Sequence, residues 1–223
     1  TAWTGFSTDW YGKLLESPKI IAAARNSLIV AIASTLIATS IGTLLALGVE
    51  RRKASSGLDA LLFMPMIIPD IVLAIALLSF FTLVKFSLGL HSIILAHVVF
   101  NIAFVCAVVR ARLKSFDWSL TEASRDLGAG ALTTFRKITF PLIWPAVVAA
   151  GLLSFTLSVD EFIIAYFTAG AGQGSTTLPM QIYAMIRFGV TPEINAMATI
   201  ILLVSFILVL AAQRFNRGSV PGT

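Results

Sequence analysis

Three carboxylates stand inside long apolar runs: Asp70, directly after Pro69, and the adjacent pair Asp160 and Glu161. An Asp at the centre of a membrane helix costs about 2.5–3.5 kcal/mol on insertion scales, so such groups need a reason to be there. Two reasons are open. The acids are neutralised by protonation or by an Arg on a partner chain and serve assembly alone, or they border a hydrated cavity in which they meet a cationic substrate or a coupling ion. Asp160 and Glu161 are the stronger candidates, because Asp70 after a proline has a plain alternative as a helix-cap repair. Successive helical residues point about 100° apart, so the paired acids do not share a direction, yet both can border one cavity between neighbouring helices. Thr156 lies on the Asp160 face and Ser158 on the Glu161 face. Near the N-terminus, Trp3, Phe6, Trp10 and Tyr11 either form an aromatic belt at the outer interface or place a π face at the mouth of a pathway for a cation. Tyr183 is placed with Trp3 near that mouth.

The elements that carry these groups are membrane spans. Hydrophobic residues make up 57% of the 223 and charged residues 12%, the latter about half the level of ordinary soluble domains. Apolar runs close to the length needed to cross a bilayer cover residues 27–48, 60–84, 93–109, 146–168 and 194–212. They predict an all-α membrane protein, one polytopic transmembrane domain over 27–212, without the alternation of a membrane barrel. The first span, rich in Ala, Ser, Thr and Gly, suits close central packing. The second carries Pro65 and Pro69, which disturb the helix beside Asp70, about 15 Å from its start. In the third, Asn101 is expected to bond across helices. On a straight fourth span, Asp160 and Glu161 stand about 22–24 Å beyond Pro145. Residues 1–26 read as an external segment with an amphipathic interfacial helix over 11–24. Residues 169–191 read as an external re-entrant or interfacial segment with a short amphipathic helix over 178–187. Thr191, Pro192 and Glu193 start the last helix, and residues 213–223 are a tail.

Charge gives the spans a direction. Eleven of the sixteen Lys and Arg fall in 49–59, 110–145 and the tail. These segments are therefore expected on the cytoplasmic side of a bacterial inner membrane, with the N-terminus outside and the C-terminus inside. An odd number of spans beginning outside, with no start Met or signal-peptide pattern, suggests a further first span, making six.

Several chemistries are absent. The glycines at 170, 172 and 174 are not followed by Gly-Lys-Ser/Thr, and neither His-Glu-x-x-His nor Gly-x-Ser-x-Gly occurs. Cys106 stands alone, and His91 and His97 lack ligand spacing with any acid, so packing or capping is expected of them. Neither a metal nor a cofactor is expected in this chain.

The polar, basic stretch from 110 to 145 is the one long wet segment. It reads Glu122-Ala123-Ser124, Gly128, Ile138 and Phe140-Pro141. This spacing resembles the EAA loop of permease subunits of ATP-binding-cassette (ABC) importers, with Ser for the third small residue and Phe for Leu. The span Ser154 to Phe162, the Thr177-Leu178-Pro179 segment, Ile182-Tyr183, residues 190–199 and Pro69-Asp70 are similar to PotC/PotI-type permeases of spermidine and putrescine importers. The resemblance covers essentially the whole chain. It implies a type I ABC importer transmembrane domain, five helices visible of six, and a non-catalytic subunit. It further implies a homologous permease partner, two ATPase subunits that bind ATP and Mg, and an external solute-binding protein. Glu122, Ala123, Ser124, Gly128, Ile138 and Pro141 would dock on the ATPase; Asp70, Asp160 and Glu161 would line a path for a polyamine. Another amine-like solute, such as an opine or amino-acid derivative, is an alternative. An ion-coupled secondary transporter is a more distant one, since no internal repeat is visible and the docking loop would go unexplained.

Overall fold

The computed structural model describes residues 7–52 and 56–217. Its regular structure is helical. The first helix, α1 (Asp9–Glu16), ends at an extended Ser17 (φ −90°, ψ 108°), and Pro18 opens α2 (Pro18–Arg52), 35 residues long. The expected single helix over 11–24 is thereby corrected. Pro18 has no N–H to continue α1 but a φ suited to a first helical turn, so residues 18–26 start the long helix instead.

The apolar run 60–84 is also not one helix. It divides into α3 (Ser56–Ile67) and α4 (Asp70–Leu83), inclined by 105°. Pro69 cannot donate to residue 65, and its ring disfavours helix at residue 68. The carbonyl of Pro69 then accepts from Val72 and Leu73 at 2.8 and 3.1 Å, starting α4 afresh.

Next come α5 (Leu90–Leu113), α6 (Ser119–Asp126) and α7 (Ala131–Thr134). A π-helical turn, Phe135–Thr139, leads into α8 (Phe140–Asp160), so that Ala131 to Asp160 forms one 30-residue helix. The second half of the expected 110–145 loop is thus helix, with Pro141 in its first α turn and Pro145 inside it. The expected span 146–168 breaks after Asp160, and α9 (Ile163–Thr168) follows. α10 (Leu178–Ile186) and α11 (Pro192–Arg217) complete the chain. α11 takes in part of the tail; residues 218–223 lie outside the described ones.

Among the described residues four helices, α2, α5, α8 with its lead-in and α11, are long and apolar enough to cross a membrane; the bent α3–α4 pair makes five if counted as one span. The buried centre is α5, with α2 on one side and α8 on the other. α2 and α5 touch at Gly42, where a Cβ would lie 2.7 Å from Val105 Cγ1. Only a residue without a side chain fits that crossing. One apolar cluster, with Val105, Val109, Leu113, Ile143 and Val147, closes the end near α6. A second joins α4, α5 and α9 through Leu73, Phe81, Phe100 and Ile164. The outward faces are apolar as well, Leu202 being 69% and Phe206 62% exposed on α11, as suits helices surrounded by lipid. Asn101 is fully buried, but its amide has no hydrogen-bond partner among the described residues.

Candidate functional site

The break between α8 and α9 separates the two acids. Glu161 is extended (φ −71°, ψ 122°), and its carboxylate folds back over the new helix start. Oε1 accepts from the N–H of Ile164 at 2.9 Å and Oε2 from that of Ala165 at 3.0 Å. These are two of the N–H groups a helix leaves unpaired at its first turn. His97 Nε2, on α5, stands 3.5 Å from the same Oε2, the two side chains 1% and 7% exposed. His97 Nδ1 lies 2.7 Å from Ser158 Oγ, which lies 3.1 Å from Ser34 Oγ on α2. Four polar side chains from α2, α5, α8 and the break thus form one buried line.

Asp160 faces the other way and is exposed. Ser205 on α11 donates to its two carboxylate oxygens at 3.4 and 3.3 Å. Asp160, Thr156, Thr199 and Ser205 line a pocket of about 560 Å³ whose remaining wall is Leu202, Leu203, Phe206 and Val209. Neither Glu161 nor Asp70 lines it. Asp70 occupies the exposed first turn of α4, where its charge complements the positive end of the helix. Tyr183, on α10, lies beside the break, its ring 4.8 Å from Phe162 and 6.0 Å from Tyr166. Trp3 lies outside the described residues. A larger groove of about 730 Å³ between α2 and α8 carries threonine and serine hydroxyls and Trp144 among apolar side chains and no carboxylate.

The sequence reading missed His97. Its partner Glu161 is 64 positions away, and the only local signal was an imidazole in an apolar run. Phe162 and Tyr166, which frame Tyr183, were missed because aromatics at helical spacing in a span ordinarily signal packing.

At the opposite end, α6 is a short amphipathic helix outside the apolar bundle. Ser119 holds the Asp117 carboxyl below its ordinary range through its hydroxyl and its N–H, the latter at 3.0 Å. The helix closes with Gly128 at φ +84°. The N–H of Gly128 donates to Arg125 O at 2.8 Å and that of Ala129 to Ser124 O at 3.1 Å, the paired bonds of a Schellman cap that favours glycine. Glu122 and Ala123 are exposed, while Ser124 Oγ sits 3.1 Å from Thr134 Oγ1 and ties α6 to α7. Leu127 is 89% and Leu132 70% exposed. Ile138 is half-buried in the π turn and Pro141 is exposed in the first turn of α8. At the base of this segment the Arg51 guanidinium lies 5.4 Å from the Trp118 ring centroid.

Residues 38–220 match the family described as binding-protein-dependent transport system inner membrane component. The chain belongs to this family. The permease is 41% identical over 222 residues to the spermidine/putrescine transport system permease protein PotC of Escherichia coli (strain K12), covering 99% of this chain and 83% of that protein. It is 40% identical over 211 residues to the putrescine transport system permease protein PotI of the same strain, covering 91% and 74%. Among solved structures, a bacterial ABC transporter involved in the import of the acidic polysaccharide alginate superposes with a TM-score of 0.74 at 17% identity, over 98% of this chain and 86% of that one. The fold is that of a type I ABC importer transmembrane domain. The permease is a non-catalytic membrane subunit of an ABC importer, driven by a separate ATPase.

Proposed function

We propose that this permease forms the translocation pathway for a polyamine, spermidine or putrescine, or a similar cationic amine. An external solute-binding protein delivers the solute, a homologous permease completes the pathway, and two ATPase subunits bind ATP and Mg. The observation that carries the solute class is the Asp160 pocket. One exposed carboxylate, three hydroxyls and an apolar wall suit an ammonium on a methylene chain: the charge attracts, and the single acid leaves the cation free to depart. Tyr183, Phe162 and Tyr166 cluster beside the break that follows Asp160, with faces that favour cations.

The basic end, with α6, is cytoplasmic by the charge rule. Its exposed Leu127 and Leu132, among charged neighbours, suit a groove on an ATPase. When ATP closes the ATPase dimer, the docked segment moves with it. The helix continuous from Ala131 to Asp160 carries that motion to the pocket, switching it between inward- and outward-facing states. Putrescine uptake by vesicles holding the whole importer tests the reading. Asp160→Asn is expected to lower uptake at limiting putrescine by about tenfold while the subunits still co-purify. Unchanged uptake overturns it, and uptake of a neutral or anionic solute instead would assign the importer to another substrate.

A further inference from the structure

We propose that His97 is a positioning residue for the solute pathway: by holding the Glu161 carboxylate inside the bundle it fixes the break between α8 and α9 and so aims Asp160 into the pocket. The inference rests on the assignment of Asp160 as the solute-facing acid. No Pro or Gly interrupts residues 152–168, so the local sequence does not by itself dictate a break at 161. The side chains do. Ser158 is pinned inward between Ser34 and His97, at 3.1 and 2.7 Å. Residues two apart on a helix point about 200° apart, and residues three apart about 60° from one another. With Ser158 inward, Asp160 faces outward and Glu161 is brought back toward the interior.

A carboxylate arriving there needs donors. Two come from α9 itself, through Ile164 and Ala165; the third group is His97 Nε2 at 3.5 Å, which has no hydrogen-bond partner among the described residues. One nitrogen of the ring, Nδ1, is held by the Ser158 hydroxyl at 2.7 Å, which leaves the other, Nε2, directed at Glu161. Apolar packing and the Ser92–Thr168 bond hold α9 against α5, but among the described residues His97 is the polar side chain of α5 that faces the Glu161 carboxylate. Without His97, Glu161 keeps its two bonds to α9 but loses its polar neighbour on α5, and Ser158 loses the partner that turns it inward, so that the end of α8 carrying Asp160 is less firmly aimed.

The test uses the complete importer in proteoliposomes, with labelled putrescine as probe and ATPase activity stimulated by the loaded binding protein as a second readout. His97→Leu and His97→Asn are expected to raise the apparent KM for putrescine about tenfold with the maximal rate and ATPase stimulation within about twofold. His97→Gln, whose amide N–H reaches the position of Nε2, is expected to return the KM to within about threefold of the original. Equal KM values for the Asn and Gln variants overturn the proposal. So does a loss confined to maximal rate, and if the Leu variant fails to assemble, the Asn and Gln pair decides alone. Asp160→Asn is measured alongside. If it leaves the KM unchanged, the assignment of Asp160 fails whatever His97 does; if it raises the KM and the His97 variants do not, only the positioning role fails.

Discussion

Arg110, in the last turn of α5, and Asp59, in the first turn of α3, are joined by two N–H···O bonds of 2.8 and 3.3 Å. Glu50, near the end of α2, accepts from Arg110 Nε at 3.3 Å. One guanidinium therefore fastens three helices at the end that carries α6. Arg110→Met would strand two carboxylates that are only partly exposed, 22% and 35%. Because water still reaches them, the expected loss is about 1–2 kcal/mol, below that of a fully buried pair. Thermal unfolding in detergent of Arg110→Met, Asp59→Asn and the double variant should show strong coupling between the two positions.

Gly42 makes a second prediction. A Cβ there would meet Val105 Cγ1 at 2.7 Å and Ile102 O at 3.1 Å. Gly42→Ala is expected to cost about 1–3 kcal/mol by overpacking the α2–α5 crossing. Val105→Ala should restore only a minor part of the loss, since it removes Cγ1 but keeps the Val105 Cβ at 2.8 Å and leaves Ile102 O at 3.1 Å; the melting temperatures of the two single variants and the double would record this.

The cap of α6 gives a third. Gly128 has φ +84° and open space around its Cα, so Gly128→Asp brings backbone strain and no clash. The strain is about 1–2 kcal/mol, felt at the end of α6 and not in the bundle. Binding-protein-stimulated ATP hydrolysis should fall about fivefold or more with the melting temperature nearly unchanged; intact stimulation would remove α6 from the coupling route.

Leu127 supplies a fourth. At 89% exposure it contributes little to the fold, and Leu127→Asp should alter stability by no more than about 0.5 kcal/mol. Co-purification of the ATPase with the permease should nevertheless drop sharply. A variant that retains the ATPase fully would show that docking uses another surface.

The helical membrane architecture, the family and the wet segment with Glu122 and Gly128 were legible because each leaves a local trace: long apolar runs, clustered Lys and Arg, a fixed spacing. The bends were not. Residues 60–84 are apolar on both sides of Pro69, so hydropathy runs straight through an inclination of 105°. The break after Asp160 is made by a side chain that replaces backbone partners, and Glu carries no breaker signal of its own. His97 and Glu161 meet only through folding, as do Asp160 and Ser205, 45 positions apart. The continuation of α2 from Pro18 was hidden by the polar residues that precede its apolar stretch.

The π turn at Phe135–Thr139 sets the phase of everything after it. Its N–H···O bond from Phe140 to Phe135 spans five residues, one more than an α turn, and it lies against Pro141, whose missing N–H and bulky ring disfavour a regular turn at that point. The extra residue rotates the whole of α8 by about 100° relative to a regular helix begun at Ala131. Length in this stretch is therefore a directional quantity. Deleting a single residue between 135 and 139 would leave composition and hydropathy almost untouched, yet it would turn the face now bearing Asp160 away from α11 and exchange the lining of the pocket for that of its neighbour. Homologous permeases that tolerate substitutions freely here should still keep the number of residues.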